Sequence, residues 1–159
     1  LLHFDAHPDL YDELDGDSYS HACPFARIME EGEVVRLVQF GIRTMTPHQR
    51  AQAERFGVEV HEAREGVVSM PSIDGPVYVT VDIDVLDPAF APGMSHHEPG
   101  GWSTRRLLDA LAAIAQSGAS VVGADIVEIN PERDINGMTA MVGAKLVKEL
   151  LELTGVSSR

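Results

Sequence analysis

The chain has 159 residues with 25 Asp and Glu against 12 Lys and Arg, a net charge of −13 with histidine neutral, which argues against nucleic-acid binding through a basic face. With 44% hydrophobic and 23% charged residues the composition is that of a soluble globular domain with length for one core, so a single domain over residues 1–159 is expected. The lone cysteine, Cys23, excludes an intrachain disulfide and a multi-cysteine zinc module and makes the cytoplasm the default compartment; the longest apolar candidate, residues 107–127, is broken by Asp109, Gln116, Ser117 and Gly118 short of the ~18 residues a membrane span needs.

The chain opens in Leu1–Asp5, which reads as the middle of a strand and predicts further structure upstream. Helix Cys23–Glu31 follows, then strand Val34–Gly41, helix Pro47–Phe56 with Thr46 as its cap, and a short strand Val58–His61. Strand Val77–Asp82, helix Thr104–Gln116 capped by Ser103 or Thr104, strand Ser120–Val127 and helix Gly137–Leu153 complete the chain. Gly57 and Gly118 stand where helix C-terminal glycines belong. Apolar strands alternating with helical segments predict an α/β fold with a mainly parallel sheet covered on both faces. The loops Leu10–Tyr19 and Asp87–Trp102 each follow a strand that ends in aspartates, the edge of an open α/β sheet where ligands bind.

Three clusters carry the chemistry. In Asp5-Ala6-His7-Pro8-Asp9 the ionisable side chains alternate, so an extended chain would point all three to one side. Neighbours on that side are about 6.6 Å apart, too far for one cation unless the chain bends, and Pro8 favours such a bend. Taken alone, the triplet equally suits an Asx-capped turn with a surface histidine. Asp82-Ile83-Asp84 ends the apolar run Val77–Val81, putting two carboxylates at the mouth of a buried strand. Unpaired carboxylates there are costly and raise each other's pKa, so a positive partner is expected. A helix cap or an arginine partner is the alternative. Together, four carboxylates and an imidazole form the ligand set of a binuclear divalent site that generates a hydroxide nucleophile near neutral pH, and the oxygen-rich donors lean toward manganese. In the third cluster, Asp125 to Pro131, Asp125 is a candidate acceptor that orients a ligand and Glu128 a candidate to project into the cleft, or a surface loop residue. His21, in the loop after the first cluster, is a candidate proton shuttle or a solvated histidine.

The runs His3-Phe4-Asp5-Ala6-His7-Pro8-Asp9, Val81-Asp82-Ile83-Asp84-Val85-Leu86-Asp87-Pro88-Ala89-Phe90-Ala91-Pro92-Gly93 with Gly100-Gly101, and Asp125-Ile126-Val127-Glu128-Ile129-Asn130-Pro131 resemble the ureohydrolases, the arginase and agmatinase family. The wording Asp87-Pro88-Ala89-Phe90-Ala91-Pro92-Gly93 looks closer to agmatinase. The resemblance implies a three-layer α/β/α fold and two manganese ions, with Asp5 and Asp82 bridging, His7 and Asp84 completing one ion, and Asp9 on the other. It places His21 on the proton-shuttle histidine and Glu128 on the guanidinium-binding carboxylate; collapse of a tetrahedral centre then needs a proton on the leaving nitrogen, for which Asp84 and His21 are the candidate relays. It further implies hydrolysis of a small cationic guanidino substrate such as agmatine to urea and an amine, by a homo-oligomer, trimer or hexamer, with no membrane or nucleic-acid partner. Guanidinobutyrase and arginase activities are the alternatives, as is a non-catalytic binding or regulatory subunit. The two-metal phosphoesterases also open with Asp-x-His, but their Gly-Asn-His and Gly-His-x-His motifs are absent from the chain. The family's glycine-rich motif with a further histidine ligand lies upstream of the first cluster, so the chain reads as an N-terminally truncated fragment with sheet strands missing. Ser95-His96-His97-Glu98-Pro99 departs from the Gly, Thr and Pro of many relatives, and His96 and His97 are read as surface residues, with lining of the substrate entrance or a stray metal contact as the alternative. The acidic loop Asp12, Glu13, Asp15 and Asp17 suits a cationic substrate tail.

Overall fold

The computed structural model describes residues 1–65 and 70–155. Its elements in chain order are β1 (Leu2–Phe4), α1 (Pro24–Glu31), β2 (Val38–Ile42), α2 (Pro47–Phe56), β3 (Glu59–Glu62), β4 (Pro76–Asp82), α3 (Thr104–Gln116), β5 (Ser120–Val127) and α4 (Met138–Leu153), with 3-10 turns at Ile83–Val85 and Pro131–Arg133. All strand pairs are parallel and the sheet order is β3-β2-β1-β4-β5.

Local chemistry explains most boundaries. At the start of α2, Thr46 accepts from the Gln49 amide while the Gln49 side chain accepts from Thr46, a reciprocal cap. Ser103 caps α3 by accepting from the Arg106 amide. Gly57 ends α2 in the left-handed conformation. Asp134 accepts from the amides of Thr139 and Ala140 at the start of α4, at 2.8 and 2.9 Å, satisfying donors that the helix itself cannot. Two strands are shorter than expected: β1 spans only Leu2–Phe4, and β2 begins at Val38, where the ladder to Leu2 begins, the preceding Val35 being fully exposed.

The strands alternate between two apolar layers. Leu2 and Phe4, Val38 and Phe40, and Val77, Val79 and Val81 pack with Leu107, Leu111 and Ile114 of α3 and Leu146 and Leu150 of α4. On the opposite face Leu1 and Leu37 pack with Phe25 of α1 and Ala53 of α2. Burial on both faces is why these strands read as continuous apolar runs, and the result is a helix–sheet–helix sandwich.

The chain moves outward from β1 to β2 and β3, then returns to the other side of β1 as β4 and β5. Connections leaving β1 and β4 therefore diverge, opening a crevice at their carboxyl ends, the switch point where ligands bind in such sheets.

Candidate metal centre

The register that pairs Phe4 with Val81 sets the next residues, Asp5 and Asp82, side by side at the end of adjacent strands. Asp82 then caps the 3-10 turn Ile83–Val85, its Oδ1 accepting from the Asp84 amide at 2.9 Å. The turn replaces the extended Asp82-Ile83-Asp84 expected from strand alternation and swings Asp84 toward β1, where its Oδ1 accepts from the Ala6 amide at 3.0 Å. After Asp5 the chain also leaves strand geometry: the His7 amide donates to Asp5 Oδ1, and Asp9 adopts φ 47°.

These bends gather one ligand atom each from Asp5, His7 and Asp84 within 4.8 Å of one another. His7 Nδ1 lies 3.0 Å from Asp84 Oδ2 and 3.3 Å from Asp5 Oδ1. An octahedral ion with bonds of about 2.1 Å separates adjacent donors by about 3.0 Å, so the spacing suits such a cation. Asp9 and Asp82 lie outside this tight trio but line the same cavity of about 510 Å³, as do His21 and Glu128.

Burial makes the cluster electrostatically unbalanced. Asp5, Asp82 and Asp84 are each at most 5% exposed. Burial, reinforced by the charges of Asp5 and Asp84, pushes Asp82 up to about 10, and burial with Asp5 pushes Asp9 up to about 8. Asp84 is raised by burial. For Asp5, burial is outweighed by His3 and His7, which hold it well below the usual carboxylate range. Burial works against a charged His7, but its bonds to Asp5 and Asp84 prevail and push it up to about 11. Arg43 comes close, yet its guanidinium donates to the carbonyls of Asp84 and Glu98 at 2.6 Å each rather than to the carboxylates. Among the described residues no lysine or arginine pairs with these carboxylates and His7 alone cannot balance four of them; buried oxygens plus one imidazole are a donor set that fits hard divalent ions.

Two residues absent from the sequence-based site support it. His3 is 1% exposed and its Nε2 lies 2.8 Å from Asp5 Oδ2. Its partner across the ladder, Gln39, donates from Nε2 to the Pro8 carbonyl at 2.7 Å and lies 3.0 Å from His3 Nδ1. A carbonyl can only accept, so Gln39 presents its amine and His3 Nδ1 accepts; the ring proton is then on Nε2, donated to Asp5. The period-two alternation of His3, Asp5 and His7 was the available signal for His3. No sequence signal pointed to Gln39.

Asp125 accepts from Thr80 Oγ1 at 2.7 Å, its partner in the ladder, rather than from a candidate ligand. Glu128 stands at φ 64°, a conformation that a glutamate adopts at a cost and that recurs at functional sites. His97 Nε2 lies 2.9 Å from the Pro92 carbonyl and is exposed. His96 is exposed yet lines the cavity, the alternative to a plain surface residue; its ring stacks on that of His21 at 5.4 Å, and its Nδ1 is 3.9 Å from Glu128 Oε2. In the acidic loop, Asp12 pairs with His48 at 2.9 Å.

A family profile described as "Arginase family" matches residues 1–152. Arginase 1, mitochondrial, of Arabidopsis thaliana is 52% identical over 159 residues, covering 94% of this chain and 46% of that protein. An agmatinase of Bacillus anthracis is 38% identical over 155 residues, covering 95% of this chain and 53% of its own. The solved arginase of Medicago truncatula superposes with a TM-score of 0.84 at 45% identity, covering 96% of this chain and 51% of that one. The chain thus spans about half the length of the relatives it matches.

Proposed function

This chain belongs to the arginase family, and from that premise we propose that the whole protein hydrolyses a linear guanidino compound to urea and an amine. The observation that carries the reading is the convergence of Asp5, His7 and Asp84 in one cavity with Glu128. Asp5, His7, Asp9, Asp82 and Asp84 would hold two divalent ions, manganese by their donor chemistry, which when bound lower the pKa of water enough to supply a nucleophile near neutral pH.

The chain's own groups do the rest. Glu128 accepts from the guanidinium through paired charge-assisted hydrogen bonds, a geometry suited to that planar cation. Attack makes the guanidino carbon tetrahedral, and its collapse requires a proton on the leaving nitrogen. His21 and Asp84 deliver it, both facing the same cavity. Burial of the carboxylates excludes competing water and strengthens each charge interaction.

The tail of the substrate is the finer question. The acidic loop Asp12, Glu13, Asp15 and Asp17 favours agmatine, whose far end is cationic, through its charge alone, since none of the four lines the cavity. The higher identity with a protein named arginase than with one named agmatinase supports arginine. A cytoplasmic homo-oligomer, trimer or hexamer, belongs to the same proposal, although the Arabidopsis relative carries "mitochondrial" in its name. No helix among the described residues is long and apolar enough to cross a membrane.

Urea release by the purified full-length protein with manganese, from agmatine, arginine and 4-guanidinobutyrate in parallel, tests the reading. Turnover of agmatine above the two acids supports the acidic-loop argument, and preference for arginine assigns arginase activity. No urea from any of them at full metal occupancy favours a binding role. Glu128→Ala should keep the metal and lose substrate binding, and normal kinetics in that variant would remove its guanidinium role.

A further inference from the structure

We propose that His96 is a positioning residue that holds the His21 imidazole in place for proton transfer, a role that rests on the guanidino-hydrolase reading. His21 lies in an exposed loop, and no side-chain hydrogen bond restrains it among the described residues. Its ring stacks on His96 with centroids 5.4 Å apart and planes 11° from parallel. His96 also meets His7 edge-on, at 6.2 Å and 81°. One ring therefore bridges the candidate proton carrier and a candidate ligand.

The support under His96 is stiffer than its exposure implies. Met94 pairs with Ile129 in an antiparallel bridge, and the Asn130 amide donates to the Gly93 carbonyl at 2.8 Å. The Asn130 side chain donates to Ser95 Oγ at 2.9 Å, and Arg133 donates to the Ser95 carbonyl at 3.3 Å. Below, the Gly93 amide donates to the buried Thr139 hydroxyl of α4 at 2.7 Å. The loop bearing His96 is thus tied to the loop bearing Glu128, so both side chains keep a set relation to the cavity. The backbone around His21 is held as well, by the Cys23 amide on the Ser20 carbonyl and the Tyr11 amide on the Ala22 carbonyl, so what His96 orders is the rotamer of the His21 ring. Aromatic stacking of this kind is worth about a tenfold bias in population, enough to matter where proton transfer depends on geometry.

The test uses the full-length protein with manganese. His96→Ala should lower kcat about tenfold while leaving manganese content unchanged and KM within about threefold. His96→Phe, which retains a flat ring but no ionisable nitrogen, should return kcat to within about threefold of the parent. His21→Ala alone should lose about a hundredfold, and His21→Ala with His96→Ala should lose no more, because residues acting as one unit are not additive. A proton NMR spectrum of the metal-free protein adds a readout independent of turnover: His96→Ala should move the His21 ring resonances toward those of a free imidazole. Normal kcat in His96→Ala beside an impaired His21→Ala would overturn the role of His96 and leave the hydrolase reading standing. Normal kcat in His21→Ala would remove the proton role of His21 and this inference with it. If the parent releases no urea, the NMR arm decides, and unmoved His21 resonances overturn the proposal.

Discussion

His3 Nε2 lies 2.8 Å from Asp5 Oδ2, with Gln39 fixing the ring from behind. This chain of donors locks the carboxylate that faces both strands of the crevice. Groups that orient a ligand in this way typically contribute ten- to a hundredfold in metal affinity. His3→Ala should weaken manganese binding by about that factor in a calorimetric titration, and His3→Gln, which can still donate, should recover part of it. Unchanged affinity in His3→Ala would show that Asp5 needs no such support.

Arg43 braces the loop behind the centre. Its guanidinium donates to the carbonyls of Asp84 and Glu98 at 2.6 Å each, with longer bonds to Gly41, Val85 and Leu86. Arg43→Ala leaves several part-buried carbonyls unpaired, and a loss of about 3 kcal/mol is expected in urea denaturation. Arg43→Lys should recover little, since an ammonium cannot reproduce the planar fork.

Asp87 closes the next loop. Its Oδ1 accepts from the Ala89 amide at 2.9 Å and its Oδ2 from the Gly100 amide at 2.8 Å, and these bonds lower its pKa. A depressed carboxylate contributes stability above its unfolded value of about 3.9 and loses it as pH falls through the lower folded value. Asp87→Asn should therefore cost about 1 kcal/mol at pH 7, reduced by the solvent around this group. The gap to the parent should close in acid; a gap independent of pH would refute the assignment.

Gly101 sits beneath that loop, and a Cβ there would stand 2.5 Å from the Asp87 amide nitrogen and 2.7 Å from the Leu86 carbonyl carbon. Both obstacles are backbone, so Gly101→Ala should destabilise by about 2 kcal/mol or more, read as a lower midpoint in urea. A neutral substitution would mean that the loop yields at no cost.

Most of this architecture is legible in the residues. Helices Pro47–Phe56 and Thr104–Gln116 and strand Ser120–Val127 stand where periodicity and caps place them, because propensity, capping and burial agree there. The aspartates at two strand ends are legible too, since buried carboxylates without partners are rare enough to signal an ion. What pattern cannot convey is pairing in space. Gln39 reaches His3 only through the register of β1 on β2, and His96 reaches His21 only because one loop is stitched to another. The turn at Ile83–Val85 hides for a related reason: Asp82 captures the Asp84 amide, a local bond that competes with the extended strand.

The central claim is that carboxylates from the ends of β1 and β4 share divalent cations with His7. A crystal structure of the manganese-loaded full-length protein, with an anomalous difference map at the manganese edge, tests it most directly. Peaks are expected within about 2.3 Å of Asp5, His7 and Asp84, with Asp82 and Asp9 completing the coordination. Manganese bound elsewhere, or these carboxylates met only by water and basic side chains, would contradict it.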